Sequence, residues 1–269
     1  MTQASPLRLM TVLAHPDDEA LGIGGTLAMY AARGVETYVV TATRGERGRF
    51  FTNENRPSDA EVGRVREGEL LAATRELGVR EVTQLDYVDG TLEEADPQEA
   101  IGNIVAQLRR VRPQVVVTFD PFGAYGHADH IAISQLTTAA VHAAADCSFD
   151  RGTEPHSVSK LYYFVTTSVR WMAYQTAFKQ MKIRVDGEER GATAWPALAV
   201  SAEIDTREYW KTAWRAVRRH ESQMAVYEGL DDLTPAQHEA LWGSGTFYRV
   251  FSRVNGGHAR ETDLFAGLG

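Results

Sequence analysis

The stretch "VLAHPDDEALGIGGTLA" (residues 12–28) places His15, Asp17, Asp18 and Glu19 together directly after an apolar run. Adjacent carboxylates repel one another, so the stretch is either a solvated turn or the seat of a cation. More than a hundred residues on, "FDPFGAYGHADH" (119–130) delivers Asp120, His127, Asp129 and His130. A catalytic zinc site needs three protein ligands, often two histidines and a carboxylate, and one open position. His15, Asp18 and His130 could supply that set. Asp17 would then stand beside the metal as a candidate general base. His127, three residues before His130, can point into the same pocket without sharing the metal, which suits a proton donor or an oxyanion stabiliser. Glu19 is open between capping the following helix and holding a ligand histidine. Asp129, a further candidate for the catalytic group, could orient His127 or His15.

These side chains need elements to carry them. "LRLMTVLA" (7–14) reads as a strand, followed by a helix that Gly34 closes. "ETYVVTAT" (36–43) is a second strand, apolar enough to be buried on both faces. Pro57 suits the first turn of a helix running to about Leu77, and "EVTQLDYV" (81–88) is a third strand ending in a "DG" turn. A helix near 97–111 leads to the strand "QVVVTFD" (114–120), then a helix from Asp129 to about Ala145 and a strand "KLYYFVTT" (160–167). Further on, the pattern predicts a helix over 171–182, a strand at 197–205, a long helix over 206–224 and a strand at 246–254. This alternation specifies an α/β fold, a Rossmann-like three-layer sandwich with a mostly parallel sheet and helices on both faces. Both clusters follow strands at their carboxyl ends, where such sheets bind ligands. Each cluster alone also reads as a βα turn with a capping aspartate. Their convergence on one crevice, with three histidines among them, is what argues for a site.

The 269 residues, 43% hydrophobic and 24% charged, can bury a large core, and the absence of a repeat or linker reads as a single domain over 1–269. A formal charge of −8 argues against nucleic acid as the main partner. The basic run "WRAVRRH" (214–220) reads as an exposed helix face. Cys147 stands alone, which fits a reducing compartment and a small buried thiol better than a nucleophile. Neither a signal peptide nor an apolar run of about 18 residues is present, so the expectation is a soluble, cytoplasmic protein without a transmembrane segment. A homo-oligomer stays open.

"AHPDDEALGIGGTLA", "TATRGERG" (41–48), "REGELLAATRELGV" (66–79), "VVVTFDPFGAYGHADH" (115–130) and "HESQ" (220–223) together resemble the LmbE-like, or PIG-L, family of zinc-dependent N-deacetylases. The resemblance spans most of the chain in the expected order. One departure is Ala128, where the family often has proline. The resemblance implies one zinc ion per chain on His15, Asp18 and His130, with Asp17 as general base. It implies His127 as the group that polarises the carbonyl or protonates the leaving amine, and Tyr125 near the oxyanion. Arg66 matches a substrate-contacting arginine, a surface helix arginine being the plain alternative, and His220 is open between a polar helix contact and catalysis. The implied partner is a small N-acyl amino-sugar conjugate, and the implied reaction removes an N-acetyl group from an N-acetylglucosamine-type conjugate. The alternative is an amidase that cleaves a larger acyl group from a glucosamine conjugate. The "RGRFFTNENRP" loop (47–57) and the region from about 170 to 269 are expected to complete the pocket.

Rival chemistries fare worse on the residues. A two-histidine-one-carboxylate iron oxygenase usually places its metal on a β-sandwich rather than on βα turns. A non-catalytic Rossmann-like nucleotide-binding module is invited by "GIGGT" (22–26), but the spacing is not G-x-G-x-x-G and the adjacent acids would repel a pyrophosphate. No G-x-S-x-G elbow supports serine hydrolysis.

Overall fold

Apolar, β-branched runs and amphipathic runs alternate along the first half, and the computed structural model resolves them into strands and helices. It describes residues 6–149, 152–178, 182–185, 188–191 and 194–268. In chain order the elements are β1 (Arg8–Leu13), α1 (Asp18–Ala32), β2 (Glu36–Thr43), α2 (Asp59–Glu76), β3 (Glu81–Tyr87), α3 (Pro97–Val111) and β4 (Val115–Phe119). A short turn α4 (Gly123–Gly126), α5 (Ala128–Ala145) and β5 (Lys160–Phe164) follow. The remainder holds α6 (Ser168–Phe178), β6 (Lys182–Val185), β7 (Glu188–Gly191), β8 (Ala202–Asp205), α7 (Trp210–Val217), α8 (Pro235–Trp242) and β9 (Ser244–Ser252).

Seven strands form one sheet in the order β3-β2-β1-β4-β5-β9-β8, with β1 to β5 parallel and β9 and β8 antiparallel to their neighbours. β6 and β7 pair as a separate hairpin. The helices fall into two groups, α1, α2, α7 and α8 packing with one another and α3 with α5, one group on each face. The central strands read as continuous apolar runs because both their faces are covered: Leu9, Met10, Val12 and Leu13 of β1 and Val115 to Val117 of β4 are buried. From β1 the chain winds outward to β2 and β3, then returns to β4 on the other side of β1. The sheet therefore has its topological switch point between β1 and β4, where a crevice opens beyond the carboxyl ends of the strands.

Several expectations shift in detail. Ser58, not Pro57, sets the start of α2, its hydroxyl accepting from Glu61 N at 3.3 Å, so Pro57 precedes the cap. The helix expected over 171–182 is α6, and residues 179–181 of that range lie outside the described residues. The long helix expected over 206–224 stops at Val217, and a 3₁₀ turn at Glu221–Gln223 follows. Polar side chains on the following turn are drawn into buried bonds, and such tertiary contacts override helix propensity. The strand expected over 197–205 is confined to β8, with a 3₁₀ turn at Ala197–Ala199. Cys147 is exposed rather than buried, because α5 ends at Ala145 and the thiol lies in the turn beyond. The basic run divides: Arg215, Arg218 and Arg219 are exposed, while Ala216, Val217 and His220 are buried. No helix among the described residues is long and apolar enough to cross a membrane.

The glycines of "GIGGT" serve helix packing. A Cβ on Gly25 would stand 2.5 Å from the Trp242 carbonyl oxygen, and one on Gly24 would stand 3.2 Å from the Ala213 Cβ. They let α1 approach α7 and α8 closely, and the amino end of α1 is crowded with acids instead of being open to a phosphate.

Candidate active site

β1 ends at Leu13 and delivers the first cluster straight into the crevice. Asp18, the first residue of α1, folds the turn back on itself: its Oδ2 accepts from Ala14 N at 3.2 Å and His15 N at 2.7 Å. The second cluster comes from the amino end of α5. His127 is the cap, its Nδ1 accepting from Asp129 N at 3.2 Å, and Ala128 holds the first helical position. Proline is favoured at that position because its missing N–H costs nothing there, so alanine in its place changes no contact of the site. His130 stacks on Phe119 at the end of β4, ring centroids 3.9 Å apart.

The two clusters meet. His15 Nδ1 and His130 Nε2 face each other at 3.1 Å, and Asp18 presents Oδ1 at 3.5 Å from His130 Nε2 and Oδ2 at 3.7 Å from His15 Nδ1. Donors about 2.0–2.1 Å from a tetrahedral zinc stand roughly 3.4 Å apart, so this spacing fits a metal ion. The opposite edge of His15 is held too: Nε2 lies 3.0 Å from Asp129 Oδ2 and 3.2 Å from Asp89 Oδ1, which fixes the ring and leaves Nδ1 facing His130. Ligand atoms of His15, His127 and His130 also lie within 4.8 Å of one another, as do those of His15, Asp89 and Asp129. Asp89 was legible only as the "DG" turn after β3; nothing in that turn marked it as a partner of His15.

Charge balance points the same way. Burial and the neighbouring Asp17, partly offset by His15, push the Asp18 carboxyl up to about 7. Burial opposes a charged His15, yet the bonds to Asp129 and Asp89 outweigh it and raise the ring to about 10. Burial and the His15 charge lower His127 to about 4 and hold His130 well below its ordinary value. Carboxylates outnumber cations in the cluster, and they favour a charged His15 over a charged His127 or His130.

Asp17 lies beside this group in an unusual backbone conformation, φ 108° and ψ −25°, that an aspartate adopts only when its surroundings hold it there. Its Oδ2 accepts from Arg66 Nη2 at 2.8 Å and from the Tyr227 hydroxyl at 2.7 Å. Arg66 is buried within α2, and its guanidinium also donates to Pro16 O at 2.5 Å and Gly45 O at 2.8 Å, so it is not the surface arginine that its helix position allowed. Glu19 takes both offices left open for it in altered form. Its Oε2 accepts from Asp17 N at 3.0 Å, and its Oε1 bonds not a ligand histidine but His220 Nε2, at 2.8 Å. Asp120 stays out of the crevice: it caps Phe122 N and Ala124 N and accepts from Trp195 Nε1 at 2.7 Å.

A cavity of about 550 Å³ opens over these residues, lined among others by Asp17, Asp89 and Tyr125. Tyr125 sits edge-on to His130 with centroids 5.4 Å apart, and burial raises its hydroxyl pKa. Gly48 and Arg49 from the 47–57 loop contribute to the wall, as do Trp171, Tyr174, Val226 and Tyr227 from the last hundred residues. Tyr227 carried no signal in the sequence, being 210 residues from the aspartate it touches.

Comparison with known proteins gives the family and the fold. Residues 10–141 match the PIG-L family model, described as GlcNAc-PI de-N-acetylase. The 1D-myo-inositol 2-acetamido-2-deoxy-alpha-D-glucopyranoside deacetylase of Streptomyces avermitilis is 34% identical over 97% of this chain and 97% of its own. Among solved structures, the N,N'-diacetylchitobiose deacetylase of Pyrococcus horikoshii superposes with a TM-score of 0.70 at 21% identity, covering 91% of this chain and 84% of its own. The 4-carboxy-2-hydroxymuconate hydratase GalB of Pseudomonas putida gives 0.69 at 21% identity, covering 94% and 100%. These two likenesses establish the fold alone, and the fold evidently hosts more than one reaction. With a third of its residues shared with a named deacetylase along nearly its whole length, the chain is an enzyme of the PIG-L, or LmbE-like, deacetylase family.

Proposed function

We propose that the chain, as one cytoplasmic domain, removes the N-acetyl group from an N-acetylglucosamine-type conjugate, with one zinc ion held by His15, Asp18 and His130. The observation that carries the reading is the 3.1 Å approach of two imidazole nitrogens with a carboxylate across them, at the switch point of the sheet. The named activity of the Streptomyces relative supports the substrate class. A zinc ion bound there would supply Lewis acidity and lower the pKa of a water toward about 7.

The protein's own groups do the rest. Arg66 and Tyr227 both occupy Oδ2 of Asp17, which leaves Oδ1 to take the proton of the attacking water. As the water oxygen bonds the acetyl carbon, negative charge moves to the carbonyl oxygen. His127 accepts a backbone N–H at Nδ1, so the neutral ring carries its proton on Nε2 and can donate it as a hydrogen bond to that oxygen, with the Tyr125 hydroxyl as a second donor. The C–N bond breaks only if the nitrogen gains a proton, since an amide anion is too poor a leaving group. Asp17 returns the proton it took, the C–N bond breaks as the carbonyl re-forms, and the products are a carboxylic acid and an amine, between which the remaining water proton passes to give carboxylate and ammonium. Asp129 and Asp89 hold His15.

A panel of N-acyl sugars and their conjugates, incubated with zinc-loaded protein and scored for released amine, tests the reading. Release from N-acetylglucosamine conjugates is expected. Cleavage confined to larger acyl groups would make the enzyme an amidase, and release from none would refute amide hydrolysis of amino sugars.

A further inference from the structure

Asp17 is the residue on which the proposed chemistry turns, and its backbone and carboxylate are both held by side chains outside the ligand set. The backbone N–H of Asp17, in its left-handed conformation, donates to Glu19 Oε2 at 3.0 Å. Glu19 is fully buried, and its other oxygen meets the fully buried His220, 201 residues away, at 2.8 Å. Seven residues after His220, the Tyr227 hydroxyl closes on Asp17 Oδ2 at 2.7 Å. Between them Ser222 is pinned by Glu69, which accepts from its N at 2.6 Å and its hydroxyl at 2.7 Å, and Gln223 Nε2 donates to Arg49 O at 2.7 Å.

We propose that the segment His220–Tyr227 positions Asp17, His220 fixing its strained peptide through Glu19 and Tyr227 fixing which carboxylate oxygen is free. The inference rests on Asp17 being the proton acceptor. Two features support it beyond the contacts themselves. A buried carboxylate and imidazole with no solvent access are costly to maintain, and here they lie at the one peptide of the site whose φ departs furthest from ordinary values. Moreover, Arg66 and Tyr227 converge on the same oxygen, an arrangement that gives Asp17 one engaged and one available oxygen. His220 and Glu19 touch no substrate on this account; they are positioning residues, and so is Tyr227 toward the carboxylate.

The test uses Tyr227→Phe, which removes a single hydroxyl, together with His220→Gln, His220→Ala and Asp17→Asn, each loaded with zinc. Steady-state kinetics, zinc stoichiometry and thermal melting are measured on every variant. We expect Tyr227→Phe and His220→Ala to lower kcat about 10- to 100-fold with KM within about twofold and zinc content unchanged, because the interactions act on the reacting group. His220→Gln, which can still donate to Glu19, should recover part of the loss. In an Asp17→Asn background Tyr227→Phe should cost nothing further, since the two act as a unit. If kcat stays within twofold in Tyr227→Phe and both His220 variants while Asp17→Asn is inactive, the positioning role is overturned and the base assignment stands. Wild-type kcat in Asp17→Asn overturns the base assignment and the positioning role with it. Should His220→Ala fail to fold, the isosteric Tyr227→Phe and the kcat of His220→Gln still decide.

Discussion

Replacing Asp129 by asparagine keeps the shape of a side chain that has three obligations and removes the means to meet all of them. Its Oδ2 serves His15 Nε2 at 3.0 Å and Gly90 N at 2.7 Å, its Oδ1 serves Leu92 N at 3.0 Å, and the residue has no solvent exposure. A carboxamide has one acceptor oxygen. Turned toward His15 and Gly90, it sets its NH₂ against the Leu92 N–H; turned toward Leu92, it sets its NH₂ against two donors. A stranded buried donor costs about 1–3 kcal/mol. Loss of the carboxylate behind a ligand histidine lowers metal affinity about 10- to 100-fold, equivalent to about 1.4–2.8 kcal/mol. Competition against a chromophoric chelator should therefore give a zinc Kd raised by that factor. Melting should show a Tm lower by about 2–4 °C for each kcal/mol lost. A lowered Tm with a zinc Kd within twofold of the parent would refute the reasoning: Asp129 would then pin the loop after β3 and have no bearing on His15 as a ligand.

Asp17→Asn should retain zinc and lose deacetylation by at least about a hundredfold, whereas His130→Ala should lose both, as metal analysis and amine release will report. Gly45→Ala should impair catalysis without touching substrate. Gly45 has φ +63°, and an added Cβ would stand 2.1 Å from Arg66 Nη1, so the guanidinium must leave Asp17 or the loop must move. A cost of about 1–2 kcal/mol from the backbone alone, read by denaturant melts, should accompany a lower kcat. Far from the site, burial works to raise the Glu261 carboxyl, but bonds from Lys160, Tyr162 and Asn255 hold it below its ordinary value of 4.5. Its contribution is thus present above the unfolded value and lost as pH falls through the lower folded one. The Tm gap between the parent and Glu261→Gln should be wide at pH 7 and close in acid; a gap constant with pH would contradict this.

Most of the parallel half was legible because period and burial coincide there. β2 begins and ends where "ETYVVTAT" does, and α3 starts at Pro97 with Asp96 capping it. The meeting of His15, Asp18 and His130 was legible because they sit at strand and helix ends, where sequence position and crevice position are the same thing. Reading failed where long-range contacts outweigh local preference. Nothing local indicates that Glu19 will find His220 or that β9 will slot between β5 and β8. The α8 helix escaped notice although Thr234, Pro235 and Gln237 form a full capping box, a signal that was present in the chain. Arg66 illustrates the limit in the other direction: its helix position allowed a surface residue, and only the packing of α2 beside the Asp17 turn turns its fork inward.

The insertion of β9 between β5 and β8 also imposes a timetable. Synthesis proceeds from the amino end at about 5–20 residues per second. The strands that present His15, Asp18 and His130 can all be paired as parallel neighbours before residue 227 exists. Tyr227 follows His130 by about a hundred residues, a lag of roughly 5–20 s at that rate. A nascent chain can thus hold its ligand donors in place while the aspartate beside them still lacks its clamp. On the proposed reading, capture of an ion and acquisition of hydrolytic competence would be separate events in the life of each molecule, in that order.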